Sequence, residues 1–126
     1  MDVAAARPGF AIAHVLLRSH CLAQSAAFFR LIGLRPVFEG EEVAIFELRG
    51  GTHLILLPSP KAEAGQAAFD LMVDDLVACH ARFDALGLSP SAIESMPAID
   101  HEAFSVLEPG GQRITVFSSH ASGLPI

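Results

Sequence analysis

Few side chains in this sequence can do chemistry, and some of them recur at matched places. Gly50-Gly51-Thr52-His53 opens one apolar stretch and Gly110-Gly111-Gln112-Arg113 opens another. His53 and Arg113 therefore stand at the same step beyond a Gly-Gly pair. An imidazole there can donate a hydrogen bond or act as a general base. A guanidinium can hold an anionic or carbonyl group through its fork of N–H donors. His14 and Asp70 lie in the apolar stretches that open each half of the chain. His14 reads either as a hydrogen-bonded histidine of a cleft or as a ligand contact. Asp70 reads as a carboxylate that pairs with Arg113 or receives a cationic group. His101, between Asp100 and Glu102, reads as a solvated loop residue before a pocket contact. Cys21 and Cys79 have neither metal-ligand spacing nor the pattern of a disulfide framework, and read as reduced thiols. The Gly-Gly pairs carry no phosphate-binding pattern and read as turn glycines at positive φ.

The elements that must position these groups repeat. Phe10–Arg18 reads as a strand. Leu22–Ile32 has apolar residues at helical spacing and stops at Gly33. Pro36–Phe38, Val43–Leu48 and Thr52–Leu57 read as three further strands. Then the pattern restarts. Ala67–Val73 reads as a strand, Asp75 as the N-cap of a helix to Leu86, and Gly87 as its stop. Ser89–Ile99 has room for a strand, and Glu102–Leu107 and Gln112–Ser118 follow as two more. His14 to Gly33 and Ala68 to Gly87 are the same 19 positions apart. The second half carries 6 more residues between its helix stop and its Gly-Gly pair, most easily within Ser89–Ile99. Each half is therefore expected to be βαβββ, and an internal repeat of this kind decides the architecture. Module one is expected over about 10–58, a linker over 59–66, module two over about 67–118, and a loose tail over 119–126, all within one domain spanning 1–126. Phe28, Phe29, Phe83 and Leu86 are expected in the core. Phe46, Phe104 and Phe117 are expected mostly there, with one or two lining a cleft.

Composition narrows the partners. The chain has 126 residues, 52% of them hydrophobic and 17% charged, which fits one folded domain. A net charge of −6 argues against nucleic acid. No apolar run reaches the ~18 residues that a membrane span needs. The opening residues lack the pattern of a secretory leader, so a cytoplasmic protein is expected.

Three stretches together resemble one family. His14-Val-Leu-Leu-Arg-Ser with Ser25-Ala-Ala-Phe-Phe-Arg-Leu-Ile-Gly-Leu is similar to the opening of glyoxalase, bleomycin-resistance and extradiol dioxygenase proteins, the vicinal oxygen chelate superfamily. Phe69-Asp-Leu-Met-Val-Asp-Asp-Leu resembles its mid-chain strand and helix entry. Glu108-Pro-Gly-Gly-Gln-Arg-Ile-Thr-Val resembles its closing turn and strand. The resemblance covers about Phe10 to Ser118. It implies an α+β fold of two βαβββ modules with curled mixed sheets around a cleft, and a homodimer. It also implies four metal-ligand places, which fall here on His14, Ile55, Ala68 and Thr115. A catalytic metal usually needs three protein ligands, and only His14 is a good one. Residues two apart on a strand share a face. The inner face is thus expected to present His14, His53, Asp70, Arg113 and Thr115 as ligand-binding residues. The favoured expectation is metal-independent binding or sequestration of a small molecule, with no cofactor. The alternative is a metal-dependent lyase, isomerase or dioxygenase that uses His14 with displaced ligands such as His53 and Asp70.

Overall fold

A computed structural model describes residues 8–119. The first module comprises β1 (His14–Ser19), α1 (Leu22–Ile32), β2 (Arg35–Glu39), β3 (Ala44–Glu47) and β4 (His53–Pro58). The second comprises β5 (Gly65–Gln66), β6 (Leu71–Val73), α2 (Leu76–Ala85), β7 (Glu94–Met96), β8 (His101–Leu107) and β9 (Gln112–Ser118). Each module builds one mixed sheet in which its first strand pairs in parallel with its last. The first sheet runs β1-β4-β3-β2. The second runs β9-β8-β7, with both β5 and β6 on the free side of β9. Beyond Ser119, the tail expected over 119–126 lies outside the described residues. Among the described residues, no helix is long and apolar enough to cross a membrane.

Local chemistry explains where the helices sit. α1 buries Ser25, Ala26, Phe28, Phe29 and Ile32, which recur at three- and four-residue steps and so share one face. It ends at Gly33, whose φ of 111° lets the Gly33 and Leu34 amides return to the Arg30 and Phe29 carbonyls. α2 begins at Asp75, whose carboxylate accepts from the Ala78 amide at 3.0 Å. Leu86, expected in the core, is 38% exposed because it caps the C-terminus instead of joining the buried face.

Alternation on the strands divides each sheet into a covered and an open face. Leu17, Phe46, Leu54 and Leu56 of the first sheet and Phe104, Val106, Ile114 and Val116 of the second point at the helices. They join Phe29 and Phe83 in one hydrophobic cluster shared by both modules. Hydrogen bonds lock the modules together across that core. Glu108, 1% exposed, accepts from Ser25 Oγ at 2.7 Å and from the Gln112 amide at 3.1 Å. Ser19 Oγ lies 2.7 Å from Ser25 Oγ. Arg82 donates to the Ile32 carbonyl at 2.6 Å, and Gln112 Nε2 to the Arg18 carbonyl at 3.0 Å.

Two local expectations change. Gly65–Gln66, read as linker, forms β5. The strand expected over Ala67–Val73 is broken at Ala67–Asp70. Gln66 pairs with Arg113 and Leu71 with Val116, so four residues on this side face two on β9. Within the break Phe69 packs against the core while Asp70 is exposed. The 6 extra residues of the second half lie between α2 and β7, because β2 follows α1 almost directly and β7 does not.

Candidate functional site

The open face of the first sheet holds His14, Leu16, His53, Ile55, Ile45 and Glu47, by register and alternation. His14 and His53 are opposite one another on β1 and β4, with ring centroids 6.3 Å apart. His14 is exposed and His53 half-buried. Glu47, opposite His53, is held by an ion pair with Arg35. Ile55 lies one step further along β4 beside Leu16, so that part of the face is aliphatic.

The open face of the second sheet holds Arg113, Thr115 and Phe117 of β9, His101, Ala103 and Ser105 of β8, Glu94 and Met96 of β7, and Met72 of β6. Arg113 is exposed and donates to Ser105 Oγ at 3.1 Å. Thr115 accepts from Gln66 Nε2 at 2.9 Å. Asp70 does not pair with Arg113. The break before β6 sets Asp70 beside Thr115, while Arg113 stands opposite Gln66. Among the described residues, the Asp70 carboxylate has neither an ion-pair nor a hydrogen-bond partner. Ala68 lies in the same break, so it is not the strand counterpart of His14. The five expected residues thus form two groups, His14 with His53 on one sheet and Asp70, Arg113 and Thr115 on the other.

Asp70 and Met72 separate two open hollows. One, of about 300 Å³, lies at the seam between the modules and is lined by Ile12, Val15, Leu48, Phe69, Asp70 and Met72 among others. The other, also about 300 Å³, is lined by Asp70, Met72, Ile99, His101 and Phe117. His101 Nδ1 donates to the Ser118 carbonyl at 2.7 Å, and its ring meets Phe117 edge-on at 5.4 Å. The imidazole is thereby fixed in the wall of the second hollow, not in a solvated loop. β8 begins one residue earlier than its apolar pattern indicates, and alternation counted back from Ser105 through Ala103 places His101 on the open face.

The donor set does not fit the metal that the resemblance implies. Among the described residues, no group of three or more His, Cys, Asp or Glu side chains is arranged to hold an ion. His14 and His53 are neighbours, but Asp70 belongs to the other sheet's edge, and Ile55 and Ala68 offer no donor. The cysteines remain apart as free thiols. Burial pushes the Cys79 thiol up from its ordinary value, against the opposing pull of Arg82.

No family profile and no curated protein matches the sequence. Solved structures do match the fold. Lactoylglutathione lyase from Agrobacterium tumefaciens superposes with a TM-score of 0.77 at 22% identity, over 94% of this chain and 100% of that one. The bleomycin resistance determinant encoded on transposon Tn5 gives 0.71 at 19%, over 87% and 98%. An antibiotic binding protein from a Streptomyces species gives 0.68 at 14%, over 89% and 98%. Two βαβββ modules, each closing its sheet by pairing first strand with last, and these superpositions together give the chain the fold of the glyoxalase and bleomycin-resistance superfamily.

Proposed function

We propose that the chain binds a small organic molecule, without a metal, in the paired hollows on either side of Asp70, and that the ligand carries a cationic group on an apolar or aromatic body. The observation that carries this reading is the Asp70 carboxylate, which has no partner among the described residues and stands between two hollows walled by Phe69, Phe117, Met72 and Ile99. A carboxylate attracts a cation, and aromatic and thioether walls contribute contact area and cation–π attraction. Matching structures that are described as binding bleomycin or an antibiotic support the binding class. The donor set supports metal independence, since three of the four implied ligand places are Ile55, Ala68 and Thr115. Leu16 at 49% exposure and Phe38 at 53% leave an apolar surface on the first sheet that supports a homodimer.

Differential scanning fluorimetry with benzyltrimethylammonium tests the reading. The wild-type melting temperature is expected to rise with probe concentration, and Asp70→Asn is expected to lose that rise. An equal rise with neutral tert-butylbenzene would remove Asp70 from the account. Stabilisation by zinc or nickel that disappears in His14→Ala would favour the metal-dependent enzyme instead.

A further inference from the structure

A third hollow lies on the same open face of the second sheet and differs in chemistry. It measures about 260 Å³ and is lined by Ser91, Glu94, Met96, Ala103, Ser105 and Thr115 among others. A directed chain of hydrogen bonds runs along its wall. Arg113 Nη1 donates to Ser105 Oγ at 3.1 Å, Ser105 Oγ donates to Ser91 Oγ at 3.3 Å, and Ser91 Oγ donates to the Ala92 carbonyl at 3.4 Å. The Ser105 amide also donates to Ser91 Oγ at 2.8 Å. One guanidinium N–H is thus tied to Ser105, a wall residue of the hollow. A guanidinium has five N–H donors, so the remainder are available to a ligand. Thr115 Oγ1 accepts from Gln66 and keeps its own proton to donate.

Glu94 supplies the opposite charge. It stands across from Ala103 on the edge strand β7, one register step from Ser105. Its carboxylate has no hydrogen-bond or ion-pair partner among the described residues, and Arg113 faces no carboxylate. Arg30, Arg35 and Arg49, in contrast, are each paired with an acid. Ala103, opposite Glu94, is the apolar side chain on the Arg113 side of that carboxylate, and Met96 lines the hollow beyond it.

We propose that this hollow is a binding site for a zwitterion whose carboxylate and ammonium are separated by a short apolar spacer, such as an ω-amino acid. The carboxylate takes the free donors of Arg113 and the Thr115 hydroxyl, the ammonium takes Glu94 beside Met96, and the spacer lies on Ala103. The residues that line it are not shared with the two hollows beside Asp70.

The test uses 6-aminohexanoate, hexanoate and hexylamine as probes against the full chain carrying ¹³C-methyl methionine, with each affinity taken from the Met96 signal so that an amine held at Asp70 is not counted. Wild type is expected to bind 6-aminohexanoate about tenfold more tightly than either singly charged probe, since each charge-assisted contact is worth roughly that factor. The Met96 methyl signal is expected to shift, and any Met72 shift reports the hollows beside Asp70 and is expected with hexylamine as well. Arg113→Gln and Glu94→Gln should each weaken 6-aminohexanoate about tenfold. Arg113→Gln should also make it equal to hexylamine, a signature that misfolding does not produce. Equal binding of the three probes, unchanged binding in either Gln variant, a shift at Met72 alone, or no binding to the folded wild type would each overturn the proposal.

Discussion

Glycine 110 shows how tightly single residues constrain the seam between the modules. Both members of the Gly110-Gly111 pair read as turn glycines at positive φ, yet only Gly111 has one, at 98°. Gly110 is required for space, because a Cβ there would lie 2.6 Å from Glu108 Oε1 and 2.8 Å from Ser19 Oγ. Gly110→Ala is expected to cost about 1–3 kcal/mol through overpacking, read as a lower urea midpoint. An unchanged midpoint would show that the seam yields. Ser25→Ala removes a donor from the buried Glu108 carboxylate and is expected to cost about 1–3 kcal/mol by the same measurement. Cys79 makes a pH prediction. Its thiol is raised in the folded chain, so folding favours the protonated form. That contribution is present at neutral pH and is lost as pH rises through and beyond the ordinary thiol range. Cys79→Ala should flatten the alkaline fall in stability; an identical fall would assign it to other groups. At this scale strand alternation, which needs only a strand and a starting parity, is what puts His53 and Arg113 on the faces that the helices leave open. The sequence misplaced Ala68 and paired Asp70 wrongly, because a break in a strand shifts every later partner and leaves no mark in hydrophobic pattern.

Among the elements, the helices were the most legible. Gly33, Asp75 and Gly87 mark ends with residue types that the backbone itself demands. Asp75→Ala should destabilise the chain by about 1 kcal/mol through loss of the cap to Ala78, and Asp75→Ser much less. Equal losses would mean that the carboxylate acts through charge instead. β5 and β7 were not legible in detail. Gly65–Gln66 has no apolar residue to mark it as a strand, and Glu94–Met96 is exposed throughout, so neither carries an alternating pattern. Both matter to the site, since β5 supplies Gln66 to Thr115 and β7 supplies Glu94 to the third hollow. The edge strands that escape sequence reading are thus the ones that finish the binding surfaces.

For the molecule as a whole, the repeat predicted the two-module architecture, and the shared core and the Glu108 seam are what bind the modules into one domain. Which hollows form was not legible, because they depend on where the broken strand before β6 places Phe69 and Asp70. The open faces of both sheets remain uncovered in the single chain, which underlies the proposed homodimer. Sedimentation at micromolar concentration should give a species twice 13.3 kDa; a species of 13.3 kDa alone would contradict it. The central claim is that Asp70 captures a cationic ligand between its two hollows. Methionine reports on it directly, since Met72 lines both of those hollows and Met96 lines only the third. Titrating ¹³C-methyl-methionine protein with benzyltrimethylammonium is expected to shift the Met72 signal saturably, leave Met96 in place, and produce no shift in Asp70→Asn. A Met72 signal unmoved in the wild type, or moved equally in Asp70→Asn, would contradict the account.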